Sequence, residues 1–260
     1  MAYKFSYLIS FQYLGFRFHG WQKQPGLKTV HWALDKTLKF VCKGIRFKTV
    51  GVGRTDAKVS STDYSFQLFI DAPLKDDFVN VFNQNSPADI RVILFEGLKD
   101  ESFNVIQHPK IKEYRYYFSF GEKNHPYCAP FLVGYLNVLD VELMKKGAKL
   151  FEGEHNFKMY CTKPSEETKV IRSVSECKIV ENSELTASFF PKKSYILIVK
   201  GQGFLRNQIR LMMGALIELG KGNVSLEFIE ESLQGEIQDE FIRNIAPASG
   251  LHLHKITFQD

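Results

Sequence analysis

The chain has 260 residues, 44% of them hydrophobic and 24% charged, with 34 basic against 29 acidic residues and a formal net charge of +5. These are ordinary globular values, and they exclude a disordered chain, a collagen-like repeat and a disulfide scaffold. No apolar run approaches the roughly 18 residues of a membrane span, and Met1-Ala2-Tyr3-Lys4-Phe5-Ser6 lacks the basic start and apolar stretch of a signal peptide, so a soluble cytoplasmic protein is expected.

The elements follow from hydrophobic period. Phe5, Tyr7, Ile9 and Phe11 alternate, which predicts a strand over Lys4 to Phe11. A loop with Tyr13-Leu14-Gly15 and Gly20-Trp21 follows. Val30, Leu34, Leu38 and Val41 recur at helical steps, and Thr29 is placed to cap them. Arg46 to Gly51 and Ser65 to Ile70 read as strands, with Gly53-Arg54-Thr55-Asp56 in the loop between them. Asp76 to Asn85 reads as a helix and Ile90 to Phe95 as a strand. Similar elements recur in the second half. Tyr114 to Phe120, Val170 to Val180, Tyr195 to Lys200 and Leu251 to Phe258 are strand-like. Val141 to Phe151, Phe204 to Leu219 and Ser225 to Leu233 are helical, with Gly220 in place to end the second of these. Strands interleave with helices in both halves, so the fold class is α+β. A boundary near Ser102–Pro109 gives an N-terminal domain of 1–105 and a C-terminal domain of 106–260.

The positive balance is compatible with an anionic partner but does not require one, because clustering matters more than the sum. Cys42, Cys128, Cys161 and Cys177 include no C-x-x-C pair, which predicts buried free thiols and not a zinc ribbon or redox site. His252 and His254 have strand spacing, and no metal site is expected.

Three segments carry chemistry. In Gly53-Arg54-Thr55-Asp56, a guanidinium beside a carboxylate favours the ionised form, and such a carboxylate is a candidate nucleophile or base. The same four residues also suit a plain turn. Arg206 and Arg210 lie four apart at a predicted helix start, where two cations oppose the helix dipole. Pairing with an anion explains them, and so does a solvated basic face. Tyr114-Arg115-Tyr116-Tyr117 alternates across a strand, which sets a ring against a base or simply fills a core; Tyr116 fits the core.

Taken in order, these segments resemble the tRNA pseudouridine synthase A (TruA) family. The likeness runs from about Ser10 to Phe258. It rests on Gly20-Trp21-Gln22-Lys23-Gln24, Gly53-Arg54-Thr55-Asp56, Asn85 with Pro87-Ala88-Asp89-Ile90, and Tyr114-Arg115-Tyr116. Gly153-x-His155-Asn156-Phe157, Phe204 with Arg210 and Gly214, and Ala246-Pro247-Ala248-x-Gly250-Leu251 complete it. The resemblance implies a pseudouridine synthase fold: two α/β domains with mainly antiparallel sheets joined side by side and an RNA-binding cleft between them. It implies an isomerase that converts uridine to pseudouridine in tRNA without a cofactor, at about positions 38, 39 and 40 of the anticodon stem-loop, with the target base flipped. Asp56 matches the nucleophile and Arg54 the arginine that helps displace the target nucleotide. Tyr114 matches the tyrosine stacked on the uracil, and Arg210 the arginine paired with the catalytic Asp. Arg206, from the helix-face reading, is a further substrate-binding candidate. The family usually works as a homodimer on tRNA, away from membranes.

The sequence also departs from the family pattern. Lys58 stands where the family has glycine, so a positive φ there would be costly. Ser60 lies in the same altered run, Leu14 replaces an Asp, and His31 replaces a Gln. Ile106 stands where a basic residue is usual. These changes keep open a synthase acting on another RNA site. A non-catalytic tRNA-binding protein of the same fold is the other alternative, against which the retained Arg54, Asp56, Tyr114 and Arg210 speak.

Overall fold

The computed structural model describes residues 3–100, 102–235 and 244–259. The chain divides into two compact units, Met1–Lys110 with Leu253–Asp260, and Ile111–His252. No helix among the described residues is long and apolar enough to cross a membrane.

The first unit is built on β1 (Phe5–Tyr13), β2 (Phe47–Gly51), β3 (Ser60–Ile70) and β4 (Ile90–Gly97). β1 lies between β3 and β4, antiparallel to both, and β2 also pairs with β3. The alternation in β1 sets the register. Ile9 faces Phe66 and Phe11 faces Tyr64, and Tyr7, Ile9, Phe11 and Tyr13 are all buried. A slip of one residue would turn this aromatic set to the opposite face. Helix α1 (Val30–Val41) covers the sheet with Val30, Ala33, Leu34 and Leu38, and α2 (Phe78–Asn85) adds Phe78 and Phe82. Thr29 caps α1 as its sequence predicts: its Oγ1 accepts from the Trp32 amide at 3.3 Å.

The last strand, β10 (Leu251–Phe258), returns mostly to this unit. Ser61 Oγ donates to the Leu253 carbonyl at 2.7 Å, and Thr62 Oγ1 to the His254 carbonyl at 2.8 Å. A cut at residue 105 would assign residues 253–260 to the second half. Hydrogen bonds across some 190 residues of sequence place them with the first, and local periodicity carries no trace of such long-range pairing.

The second unit holds β5 (Lys110–Phe120), β6 (Val133–Tyr135), β7 (Gly153–Asn156), β8 (Ile171–Glu181) and β9 (Tyr195–Gly201). β9 pairs antiparallel with β5 and β8, β7 antiparallel with β8, and β6 parallel with β5. Tyr117 packs with Cys128, Leu132, Ile196 and Ile198 on one side of this sheet. Helices α3 (Val141–Leu150), α4 (Gln208–Gly220) and α5 (Leu226–Ser232) complete the unit. Eleven of the thirteen residues of α4 are buried, which makes it the central helix of the unit.

Two helix-end expectations are corrected. α4 starts at Gln208 and not at Phe204, because Asn207 adopts a left-handed φ of 60° and Gln208 Oε1 accepts from the Leu205 amide at 2.8 Å. Gly220 is the last helical residue and is not the chain-reversing one. The left-handed glycine is Gly222, at φ 76°. A Cβ on Gly220 would lie 2.7 Å from Met144 Sδ, so its small size serves packing. The fold class is α+β, with mainly antiparallel strands and helices in each unit. All four cysteines are free thiols, Cys161 half-buried and the others buried.

Candidate active site

Arg54 and Asp56 lie in the loop between β2 and β3, in the first unit. Arg54 is exposed and Asp56 half-buried. The Asp56 carbonyl accepts from the Val59 amide at 3.2 Å, closing a tight turn through Ala57 and Lys58. Lys58 sits at φ 68°. This is the third position of the turn, where a left-handed residue favours glycine.

The loop is held by backbone from the neighbouring segment. The Trp21 amide donates to the Thr55 carbonyl at 3.1 Å, and the Lys58 amide to the Phe18 carbonyl at 3.1 Å. Gly20 makes this approach possible: at φ 82°, a Cβ on it would lie 2.7 Å from the Thr55 carbonyl oxygen and 3.1 Å from the Asp56 carbonyl carbon. Gly15 has the same role at the far end of the loop, with its Cβ position 1.9 Å from the Val59 oxygen. The first turn of α1 holds Gly20 and Trp21 in turn. The Val30 amide donates to the Gly20 carbonyl at 3.0 Å and the His31 amide to the Trp21 carbonyl at 3.2 Å. Two of the amides that a helix leaves unpaired at its start are used this way.

Side chains brace the same loop from below. Tyr13 Oη and Thr55 Oγ1 are 2.8 Å apart, and Tyr64 Oη donates to the Gly53 carbonyl. The Trp21 ring stacks on Tyr64 at 4.3 Å and on His31 at 4.9 Å. A Cβ on Gly51 would lie 2.3 Å from Tyr64 Oη, so glycine at the end of β2 admits the stack. Burial lowers the pKa of His31 from its ordinary value, against the pull of Asp35. Its Nε2 lies 2.7 Å from Thr49 Oγ1, while its buried Nδ1 has no hydrogen-bond partner among the described residues.

Tyr114, Arg206 and Arg210 lie in the second unit. Tyr114 is on β5 opposite Val199 and is only 9% exposed; Phe204 meets its ring edge-on at 5.4 Å. Arg206 is exposed and precedes α4, so it does not share a helix face with Arg210. The four-residue spacing is interrupted by the left-handed Asn207. Arg210, in the first turn of α4, is fixed from two sides: Nε donates to the Ala246 carbonyl at 2.7 Å and Nη1 to Asn207 Oδ1 at 2.9 Å. Asn207 Nδ2 donates to Thr162 Oγ1 at 2.8 Å, so the amide is itself oriented. Gly214 lets the 244–246 backbone run along α4, since a Cβ there would lie 1.8 Å from the Asn244 oxygen.

Tyr116 Oη donates to the Pro247 carbonyl at 2.9 Å and lies 3.3 Å from Tyr135 Oη. Burial raises both phenol pKa values, Tyr135 to about 12, and the nearby Arg210 charge pulls the other way. Both phenols are therefore neutral near pH 7. The sequence reading missed Asn207 and the bracing roles of Tyr13 and Tyr64. Asn207 carried a signal, since asparagine is among the few non-glycine residues that tolerate the left-handed region.

Known proteins decide the family. The sequence model described as tRNA pseudouridine synthase matches residues 148–259. The tRNA pseudouridine synthase A of Fervidobacterium nodosum is 32% identical over 96% of this chain and 98% of its own. That of Thermosipho africanus is 33% identical over 97% and 99%. The chain belongs to the tRNA pseudouridine synthase family. The corresponding protein of Listeria monocytogenes is 28% identical over 97% of this chain and 99% of its own. The likeness to the family therefore spans both units and includes the Asp56 loop.

Lys58 carries a backbone cost in the Asp56 loop, because a left-handed non-glycine residue loses about 1–2 kcal/mol. Lys58→Gly removes that strain and adds about 0.5–1 kcal/mol of chain entropy. The variant is expected to gain up to about 1 kcal/mol and to melt about 1–3 °C higher by calorimetry. A lower melting temperature would mean that the Lys58 side chain, 5.8 Å over the Phe16 ring, contributes more than its backbone costs.

Proposed function

We propose that this protein isomerises uridine to pseudouridine in tRNA, at about positions 38, 39 and 40 of the anticodon stem-loop, with Asp56 as nucleophile. The observation that carries this reading is a carboxylate held half-buried in a loop braced by backbone on two sides, in a chain that matches tRNA pseudouridine synthases over almost its whole length. The reaction breaks the bond from the ribose C1′ to N1 of uracil and forms one from C1′ to C5. The C5 proton leaves and N1 is reprotonated, so no atom is gained or lost and no redox equivalent is consumed. The carboxylate adds to the base or sugar, or drives elimination at C2′, while the detached uracil turns.

Each remaining residue has a role in this reading. Arg54, exposed on the same loop, helps displace the target nucleotide from its helix. Tyr114 offers a ring to the flipped uracil. Arg210 supplies positive charge to the carboxylate chemistry, and Arg206 contacts RNA from the turn before α4. The same reading has the enzyme acting in the cytoplasm as a homodimer.

Asp56→Asn keeps the side-chain shape but removes the nucleophile. Purified variant should bind tRNA nearly as well as wild type and form no pseudouridine, as read by carbodiimide modification and primer extension. Measurable turnover would refute Asp56 as nucleophile.

Tyr114 separates stacking from core packing. Tyr114→Phe should keep tRNA affinity, and Tyr114→Leu should weaken it by about 1–3 kcal/mol, because stacking needs the ring. A lower melting temperature for the Leu variant, with affinity and single-turnover rate unchanged, would make Tyr114 a core residue alone.

A further inference from the structure

Helix α1 buries Val30, Ala33, Leu34, Thr37 and Leu38. Its outer face carries Trp32, Lys36 and Phe40 at four-residue steps, an aromatic–cation–aromatic stripe. Trp32 is 41% and Phe40 70% exposed, so two large rings lie open on one helix face. Lys36 Nζ sits 5.2 Å over the Trp32 ring.

A groove of about 570 Å³ runs between this stripe and the turn at Asn85, Ser86 and Pro87, with Arg17 and Lys28 on its rim. A second groove of about 400 Å³, on the other side of the stripe, shares Trp32 and Lys36 and adds Lys23, Lys39 and Phe47. Five cations line the two grooves against one carboxylate, Asp35. Lys23 is paired with Asp35, and Arg17 with the neighbouring Asp89. Lys28, Lys36 and Lys39 are thus left to set a positive field around exposed rings.

That combination selects the partner. Protein–protein interfaces are depleted in lysine at their centres. Flexible ammonium groups beside open aromatic faces suit phosphates and unstacked bases. None of the residues lining either groove belongs to the Asp56 loop.

We propose that the outer face of α1 and its flanking grooves form a tRNA-binding surface distinct from the Asp56 loop, which grips the phosphate backbone through Lys28 and Lys36 and stacks RNA on Trp32 and Phe40. This rests on the reading of the protein as a tRNA-modifying enzyme. The surface adds affinity, not chemistry.

The test uses two variants of the full chain, Lys28→Gln/Lys36→Gln and Phe40→Ser, all at exposed positions. Melting temperatures should match wild type. The double variant should bind tRNA about fivefold or more weakly at moderate salt, and its slope of log K against log salt should be shallower by about 1–2, since each phosphate contact contributes about 0.9. Phe40→Ser should bind about fivefold or more weakly with an unchanged slope. Single-turnover pseudouridine formation at saturating tRNA should be unaltered in both. Unchanged tRNA affinity in both variants would overturn the proposal. So would a change of oligomeric state with affinity intact, which would make this face a contact between copies of the chain. A wild-type protein that formed no pseudouridine would defeat the catalytic reading instead, and a loss of tRNA affinity in the variants would still uphold this surface.

Discussion

The start of α1 holds the candidate active site together. A helix begins with amides that have no partner within it. Here Val30 and His31 give theirs to the carbonyls of Gly20 and Trp21. The amide of Trp21 then holds Thr55, one residue before Asp56. The position of the carboxylate is thus set by a relay of backbone hydrogen bonds that starts in a packed helix. Each bond contributes only about 1 kcal/mol net. Their effect is directional: together they fix the loop on elements that cannot shift without opening the aromatic core of Phe11, Tyr64 and Phe66.

The relay explains why small residues recur around the loop. Gly15 and Gly20 stand where any Cβ would meet the 55–59 backbone, and Gly51 where it would meet the Trp21 and Tyr64 rings. In the second unit the same economy of space appears at Gly214, which admits the strand of backbone whose Ala246 carbonyl holds Arg210. The two arginines are held differently: Arg54 is exposed, whereas Arg210 is oriented by a carbonyl and by an amide that is itself oriented.

Much of this was legible in the sequence. The period-two run of β1, the capped stripe of α1 and the loop between two strands all emerge from local patterns, because each is decided by which face meets the core. The cost at Lys58 was also readable, and the residue does take a positive φ. Other features were hidden because they depend on distant partners. The return of β10 rests on hydrogen bonds from Ser61 and Thr62, far away in sequence. The start of α4 lies four residues beyond Phe204, because one left-handed asparagine and the Gln208 side chain close Phe204 to Asn207 as a turn, so Arg206 and Arg210 share no helix face. The family resemblance pointed to Asp56 as a candidate, but neither it nor the periodicity indicated what holds that residue in place.

Gly20→Ala tests the relay most directly, because it leaves every proposed reacting group intact. The added methyl group would press on the Thr55 carbonyl and impose a strained φ. Single-turnover pseudouridine formation at saturating tRNA is the quantity to measure, alongside tRNA affinity and melting temperature. The expected rate is at least about tenfold below wild type, with tRNA affinity nearly unchanged, since a misplacement of about 1 Å at a reacting group can cost about a hundredfold. A folded variant with the wild-type rate would contradict it, and would mean that the Asp56 loop finds its position without the backbone contact at Gly20.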